Sequence, residues 1–191
     1  QLNHNGAYVA KNSKLGLDLH FGINGTSKLS DLNDRTSAFT LTLVSVGHTT
    51  RNTSLNPCSV NTIATSLNYH WSENIVENWE NSAEGIKHRF LISKRPAEEN
   101  LHDSLLIRMA LDTHLIAEIE EESIVFKNSK EEPQLEYSQL SAFDADGVQL
   151  PTRRSIHGNY LDIAIDDSLA RYPIEIIAGT VQLSYLKASN A

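Results

Sequence analysis

The chain has 191 residues and a formal net charge of −8, with 40% hydrophobic and 21% charged residues. This is the composition of a globular protein, and so acidic a surface disfavours binding to nucleic acids or to anionic membranes. Cys58 is the only cysteine, which excludes an internal disulfide, and no apolar run approaches the length of a membrane-spanning helix.

Alternation of apolar and polar residues dominates the first part of the chain. One such run extends from Leu17 to Ile23 and is followed directly by Asn24-Gly25, a strong signal for a hairpin turn. A second run, residues 39–43, alternates Phe or Leu with Thr. Both runs predict half-buried β-strands, with the polar residues on the wetter face.

The same two-residue period continues along the rest of the chain, in residues 105–112, 115–119, 123–126, 160–166 and 181–185. Turn-forming residues separate these short runs, so the pattern predicts about a dozen strands. The expected fold class is all-β, an antiparallel β-sandwich with little helix, and an extended or two-lobed sandwich is the open alternative. Residues 74–84 fit either a helix or a strand and turn, and residues 166–172 fit one helical turn capped by Asp166.

Two stretches without periodicity, residues 28–37 and 49–61, are predicted to be loops. We therefore expect residues 1–191 to form a single β domain, with a subdivision near 49–61 as the open alternative.

No sequence motif for catalysis is present. The chain has no Gly-x-Ser-x-Gly elbow, no phosphate-binding glycine loop and no zinc-protease spacing of histidines. The eight histidines are therefore interpreted as surface or loop residues: His4, His20, His48, His70, His88, His102, His114 and His157. Cys58 has no basic neighbour that would favour its thiolate. We predict that the protein is not an enzyme and assign no catalytic residues.

Two acidic residues, Asp144 and Asp146, precede Gly147 and resemble the start of a calcium-binding loop. The twelfth position of that loop would be Ser155, so an EF-hand is excluded. The favoured interpretation is a hairpin turn in which Gly147 supplies the positive φ, and a bound calcium ion is the alternative.

Three aromatic residues, Tyr69, Trp71 and Trp79, lie close together in the sequence. Such rings most often anchor a hydrophobic core, and exposed rings can instead stack on sugars. The core is the favoured interpretation, with a carbohydrate-binding platform as the alternative.

Several longer stretches form an ordered pattern: Tyr69-His70-Trp71, residues 77–81 with Gly85-Ile86 and Phe90, residues 135–140, residues 142–151, residues 159–167 and residues 170–176. The pattern resembles the β-rich N-terminal module of large secreted bacterial proteins, which precedes FG-GAP (integrin-like) repeats, other β-propeller repeats or Rhs/YD repeats. Ile177-Ala178 departs from it, because the family usually places Asp-Pro after the final strand.

This resemblance implies an extracellular or cell-surface bacterial protein without a defined activity. We therefore expect a non-catalytic structural or interaction module that contacts neighbouring domains of its own polypeptide or surface partners. A carbohydrate-binding β-sandwich, with calcium as a structural ion, is the second hypothesis, and a hydrolase whose site is not visible in the sequence is the third.

Overall fold

The computed structural model describes residues 7–48, 51–55, 59–97, 104–121 and 123–183. These residues contain eighteen β-strands and no helix, which confirms the predicted fold class. The strands are β1 (Ala7–Asn12), β2 (Leu17–Gly22), β3 (Thr26–Asp31), β4 (Ala38–His48), β5 (Arg51–Ser54), β6 (Ser59–Ile63), β7 (Ser66–Ser72), β8 (Ile75–Asn81), β9 (Ile86–Ile92), β10 (Leu105–Thr113), β11 (Ile116–Glu120), β12 (Ser123–Lys127), β13 (Pro133–Ser138), β14 (Ser141–Phe143), β15 (Gln149–Leu150), β16 (Thr152–His157), β17 (Tyr160–Ile165) and β18 (Ile174–Leu183).

The strands form two antiparallel sheets. The first sheet has the order β1-β2-β3-β4-β10-β17-β16, and β5 pairs with β4. The second sheet has the order β11-β12-β13-β18-β9-β8-β7-β6, and the β14–β15 hairpin joins it through β18. Each sheet therefore ends in two edge strands, and β1 and β6 flank one side of the sandwich while β11 and β16 flank the other.

Inward-facing side chains from both sheets form one hydrophobic core. In β4, Phe39, Leu41 and Leu43 are buried and the intervening threonines are half-buried, as the alternation predicted. A bulge where β4 meets β10 moves the next inward position to Val46. Core residues come from strands on both sides of residues 49–61, the segment in which the chain leaves the first sheet for the second.

The predicted loops and helical turn are wrong in part. Residues 28–31 belong to β3, residues 51–54 form β5, and residues 59–61 begin β6. These strands lack a strong apolar alternation because they are polar and short. Residues 75–81 form β8, and residues 166–172 form turns without a helix. The Tyr172-Pro173 peptide that leads into β18 is cis.

We expect Gly179→Ala to destabilise the fold by about 1–3 kcal/mol, because a β-carbon at this position would overpack the core. It would lie 2.1 Å from the ring of Tyr137, which is fully buried. Gly22→Ala is the matched control, since its β-carbon would crowd only the side-chain end of the exposed Asn24 and would lie at an ordinary 3.6 Å from the backbone oxygen of Thr26. Urea unfolding measures both variants, and equal losses of stability would contradict the prediction.

Candidate functional site

A buried carboxylate, Glu77, lies at the centre of the second sheet. Alternation along β8 places it on the same inward face as Ile75 and Trp79, and only 2% of its surface is exposed. Its Oε2 accepts a hydrogen bond from Trp71 Nε1 at 2.8 Å, and its Oε1 accepts one from Trp79 Nε1 at 2.8 Å. A third partner, His88 Nε2, lies 2.9 Å from Oε1. Three donors therefore replace the water that this carboxylate loses on burial.

His88 connects Glu77 to a buried phenol. The imidazole ring stacks on Trp79, with centroids 3.8 Å apart and planes 8° from parallel. Its Nδ1 lies 2.9 Å from the hydroxyl of Tyr137. Burial raises the pKa of Tyr137 well above its usual range, so the phenol keeps its proton. With that proton directed at Nδ1, the imidazole N–H lies on Nε2 and donates to Glu77.

A buried cation, Arg154, reaches this network from the opposite sheet. It projects inward from β16, donates from Nη1 to the carbonyl of Tyr137 at 2.8 Å, and donates from Nη2 to the carbonyl of Ala178 at 3.1 Å. Its guanidinium carbon lies 5.3 Å from the centroid of the Tyr137 ring, within range of a cation–π contact. Arg154 therefore links the two sheets through both hydrogen bonds and ring contact.

The three predicted aromatic residues belong to the core. Tyr69, Trp71 and Trp79 are 0%, 2% and 1% exposed, so the favoured core interpretation is confirmed. Tyr69 donates its hydroxyl to the carbonyl of Gly22 in the first sheet at 2.9 Å. The rings present no exposed faces on which a sugar could stack.

A second buried polar cluster lies where strands of both sheets end. Asp167, which follows β17, is fully buried, and its Oδ2 lies 3.1 Å from Nε2 of His48, the last residue of β4. Tyr172 donates its hydroxyl to the same oxygen at 2.6 Å, and Nη2 of Arg95 lies 3.6 Å away. This cluster holds the turn between β17 and β18 against the ends of β4 and β9.

The interpretation of the histidines as surface or loop residues is wrong for His48 and His88, which are both 0% exposed. A signal for His88 was present in the sequence, because it lies between Ile86 and Phe90 on the inward face of β9. The inward position of Glu77 was marked in the same way, by the alternation of β8. His4, His102 and Cys58 lie outside the described residues.

Asp144 and Asp146 lie in the turn between β14 and β15. Asp144 Oδ1 accepts the backbone N–H groups of Asp146 and Val148, both at 2.9 Å, and Gly147 has a φ of +76°. The predicted hairpin turn is confirmed. Both carboxylate oxygens of Asp146 lie 2.9 Å from Nη1 of Arg171, so a calcium ion at this turn would compete with that guanidinium.

Part of the loss of stability at acidic pH should come from protonation of Asp144. Backbone hydrogen bonds, first from Val148 and then from Arg171 and Asp146, hold its pKa below the usual value. A carboxylate with a lowered pKa in the folded state stabilises the fold above the unfolded pKa of about 3.9, and this contribution is lost as pH falls through the folded value. We expect Asp144→Ala to lower the melting temperature at pH 7 and at pH 5. The difference from the unmodified chain should shrink below about pH 4, and a difference that does not change with pH would contradict this assignment.

A groove of about 360 Å³ opens on the side of the sandwich between β1 and the β6–β7 hairpin. Tyr8, Phe21, Leu67 and Ile86 supply much of its apolar lining, and Thr62 of β6 contributes to its polar part. The groove lies over one edge of the core, where Phe21, Leu67 and Ile86 are at most 4% exposed.

Among the described residues, no three His, Cys, Asp or Glu side chains lie close enough together to hold a metal ion. The same part of the chain contains no helix with the length and apolar character needed to cross a membrane. The fold and these clusters define the chain as an all-β sandwich with polar networks in its interior. Comparisons with protein families, with curated proteins and with solved structures give no match.

Proposed function

We propose that this chain is a non-catalytic structural and interaction module of a larger bacterial secreted or cell-surface protein, in which it holds and presents neighbouring domains. The observation that carries the proposal is the use of polar side chains as ties between the two sheets. Such ties favour a rigid unit that keeps its shape while other domains are attached to it.

The ties are distributed over the sandwich. Arg154 of the first sheet donates to two carbonyls of the second, and Tyr69 of the second sheet donates to a carbonyl of the first. Asn12 at the end of β1 donates to Asn81 Oδ1 at 2.8 Å. Hydrogen bonds depend on direction as well as distance, so these contacts oppose sliding of one sheet over the other in addition to the cohesion of the core.

The acid, the base and the phenol of the central network also support a non-catalytic role. Glu77, His88 and Tyr137 are at most 2% exposed, and their polar atoms bond to one another and to two indoles. Each therefore has a complete structural role in the interior. The resemblance described above adds the expected context, a module that precedes repeat domains outside the cell.

The proposal is tested in a bacterium that expresses the gene encoding this chain, with an epitope tag on the encoded protein. We expect protease added to intact cells to remove the tagged protein, or the tagged protein to appear in the medium. A cytosolic reporter protein serves as the control for cell integrity. Protection of the tagged protein until the cells are lysed would contradict the extracellular assignment.

The holding role is tested by deleting residues 1–191 from the same gene. We expect the remaining polypeptide to be cleaved faster by external protease, or to be recovered in smaller amount, than in the undeleted protein. Replacement of Arg154 by Met, which removes its two hydrogen bonds to the second sheet, should have the same effect to a smaller degree. Unchanged recovery and unchanged cleavage of the remaining polypeptide would contradict the proposal.

A further inference from the structure

Among the described residues, the four strands that end the main strand order of the two sheets differ in charge. β1 carries Lys11, β11 carries Glu118 and Glu120, and β16 carries Arg153 and His157 beside the buried Arg154. Charged side chains on an edge strand discourage pairing with another chain. The fourth edge, β6, has the sequence Ser-Val-Asn-Thr-Ile and contains neither a charge nor a proline.

β6 is also exposed. Within the part of the chain that the structure describes, it pairs only with β7 and ends the ten-stranded sheet. On the side away from β7, its backbone N–H and C=O groups therefore have no strand partner among the described residues. Ile63 on its outer face is 65% exposed.

The pairing with β7 assigns each β6 side chain to a face. Val60 and Thr62 lie opposite Tyr69 and Leu67, whose side chains point into the core, so they face inward, and Asn61 faces outward. Residues that lie opposite each other in an antiparallel pair point to the same face of the sheet. In a partner strand, inward-facing residues must therefore lie opposite the inward-facing residues of β6. Two copies of β6 satisfy this condition with the full length of the strand when Asn61 of one copy lies opposite Asn61 of the other. Val60 then lies opposite Thr62, and Ser59 opposite Ile63.

A row of asparagines on the outer face of the second sheet ends at Asn61. Asn78 Nδ2 donates to Asn68 Oδ1 at 2.8 Å, and Asn68 Nδ2 donates to Asn61 Oδ1 at 3.0 Å. In this row Asn61 is an acceptor, and its side-chain N–H groups donate to none of the described residues. With two copies paired at Asn61, each amide can donate to the other across the two-fold axis, and the row continues into the second copy.

We infer that β6 is a self-association edge, at which two copies of this chain pair antiparallel around Asn61 and join their second sheets into one continuous sheet. A second copy is favoured over a charged partner segment because the edge offers no charge to attract one. Self-pairing of β6 brings no like charges of this strand into opposition, because it carries none. Thr62 of β6 also lines the groove, so the paired strand would lie beside its opening. This inference does not depend on the proposed function.

Pairing of one five-residue edge buries a small area, so the dimer should be weak. Sedimentation velocity of the whole chain from about 1 µM to about 1 mM covers the relevant range. We expect a reversible shift from monomer to dimer. Asn61→Lys places two like charges opposite each other at the two-fold axis and should weaken the dimer by about tenfold or more. Circular dichroism confirms that the variant is folded.

The matched control is Ile116→Lys, which places the same charge on β11, the edge strand at the opposite end of the same sheet. Ile116 is 45% exposed, and this variant should dimerise like the unmodified chain. A register test uses Asn61→Cys in a Cys58→Ser background, in which oxidation should give a disulfide-linked dimer, whereas Asn78→Cys in that background should not. A chain that is monomeric throughout the range, or a dimer that is unaffected by Asn61→Lys, overturns the inference.

Discussion

Replacement of Glu77 by Ala is expected to lower the free energy of unfolding by more than about 3 kcal/mol, because three buried donors lose their acceptor together. The indoles of Trp71 and Trp79 and the imidazole of His88 all bond to this carboxylate. An unsatisfied buried donor costs about 1–3 kcal/mol, and a domain has only about 5–15 kcal/mol of stability. Urea unfolding followed by tryptophan fluorescence measures the loss.

Glu80→Ala is the control on the same strand. Glu80 faces outward, is 30% exposed and pairs with Arg89 at 2.9 Å. A partly exposed ion pair of this kind contributes at most about 1 kcal/mol. Glu77→Gln keeps the size and one acceptor oxygen of the side chain, so its effect should lie between the two. Equal unfolding midpoints for Glu77→Ala and Glu80→Ala would contradict the role assigned to the buried carboxylate.

The second large effect is expected at Asp167. Its carboxylate is fully buried beside His48 and accepts a hydrogen bond from Tyr172. Removal of one member of a buried polar or ionic pair costs about 3–5 kcal/mol, since the other member stays buried without its partner. We therefore expect Asp167→Ala to unfold at a much lower urea concentration than the unmodified chain, with hydrogen exchange increased first at the ends of β4 and β18.

The neighbouring Asp166 supplies the control for this prediction. It is exposed, and its carboxylate bonds only within the turn, to the backbone and hydroxyl of Ser168. Asp166→Ala should lower the free energy of unfolding by about 1 kcal/mol or less, which is the typical effect of losing a local capping hydrogen bond. If Asp166→Ala destabilised the chain as much as Asp167→Ala, the effect would belong to the turn and not to the contact with His48.

Local patterns were sufficient for the class of fold. The alternation in β2, β4, β10 and β17 predicted strands with one buried face, and Asp144 with Gly147 predicted the β14–β15 turn. Polar edge strands such as β6 escaped prediction because neither face of such a strand is rich in apolar residues. Residues 166–172 have a capping residue, Asp166, that is compatible with a helical turn, but they form turns without a helix. The tertiary contact of Asp167 with His48 holds this segment.

The buried networks were less predictable than the strands. An inward position for Glu77 and His88 follows from counting along β8 and β9, yet an inward acid in a sequence looks like a break in the pattern. Only the presence of Trp71, Trp79 and Tyr137 around them makes burial favourable. The contact between His48 and Asp167 joins residues 119 positions apart, and no local signal marks it.

The sheets of this chain could be predicted from its residues because the two-residue side-chain period of a strand is a local property of the backbone. The pairing of strands, the meeting of polar groups in the interior, and the position of β6 at the end of a sheet among the described residues depend on the folded structure. The physical reason is that strand pairing and polar contacts join residues far apart in the chain. Their free energy depends on the partners that the whole fold brings together.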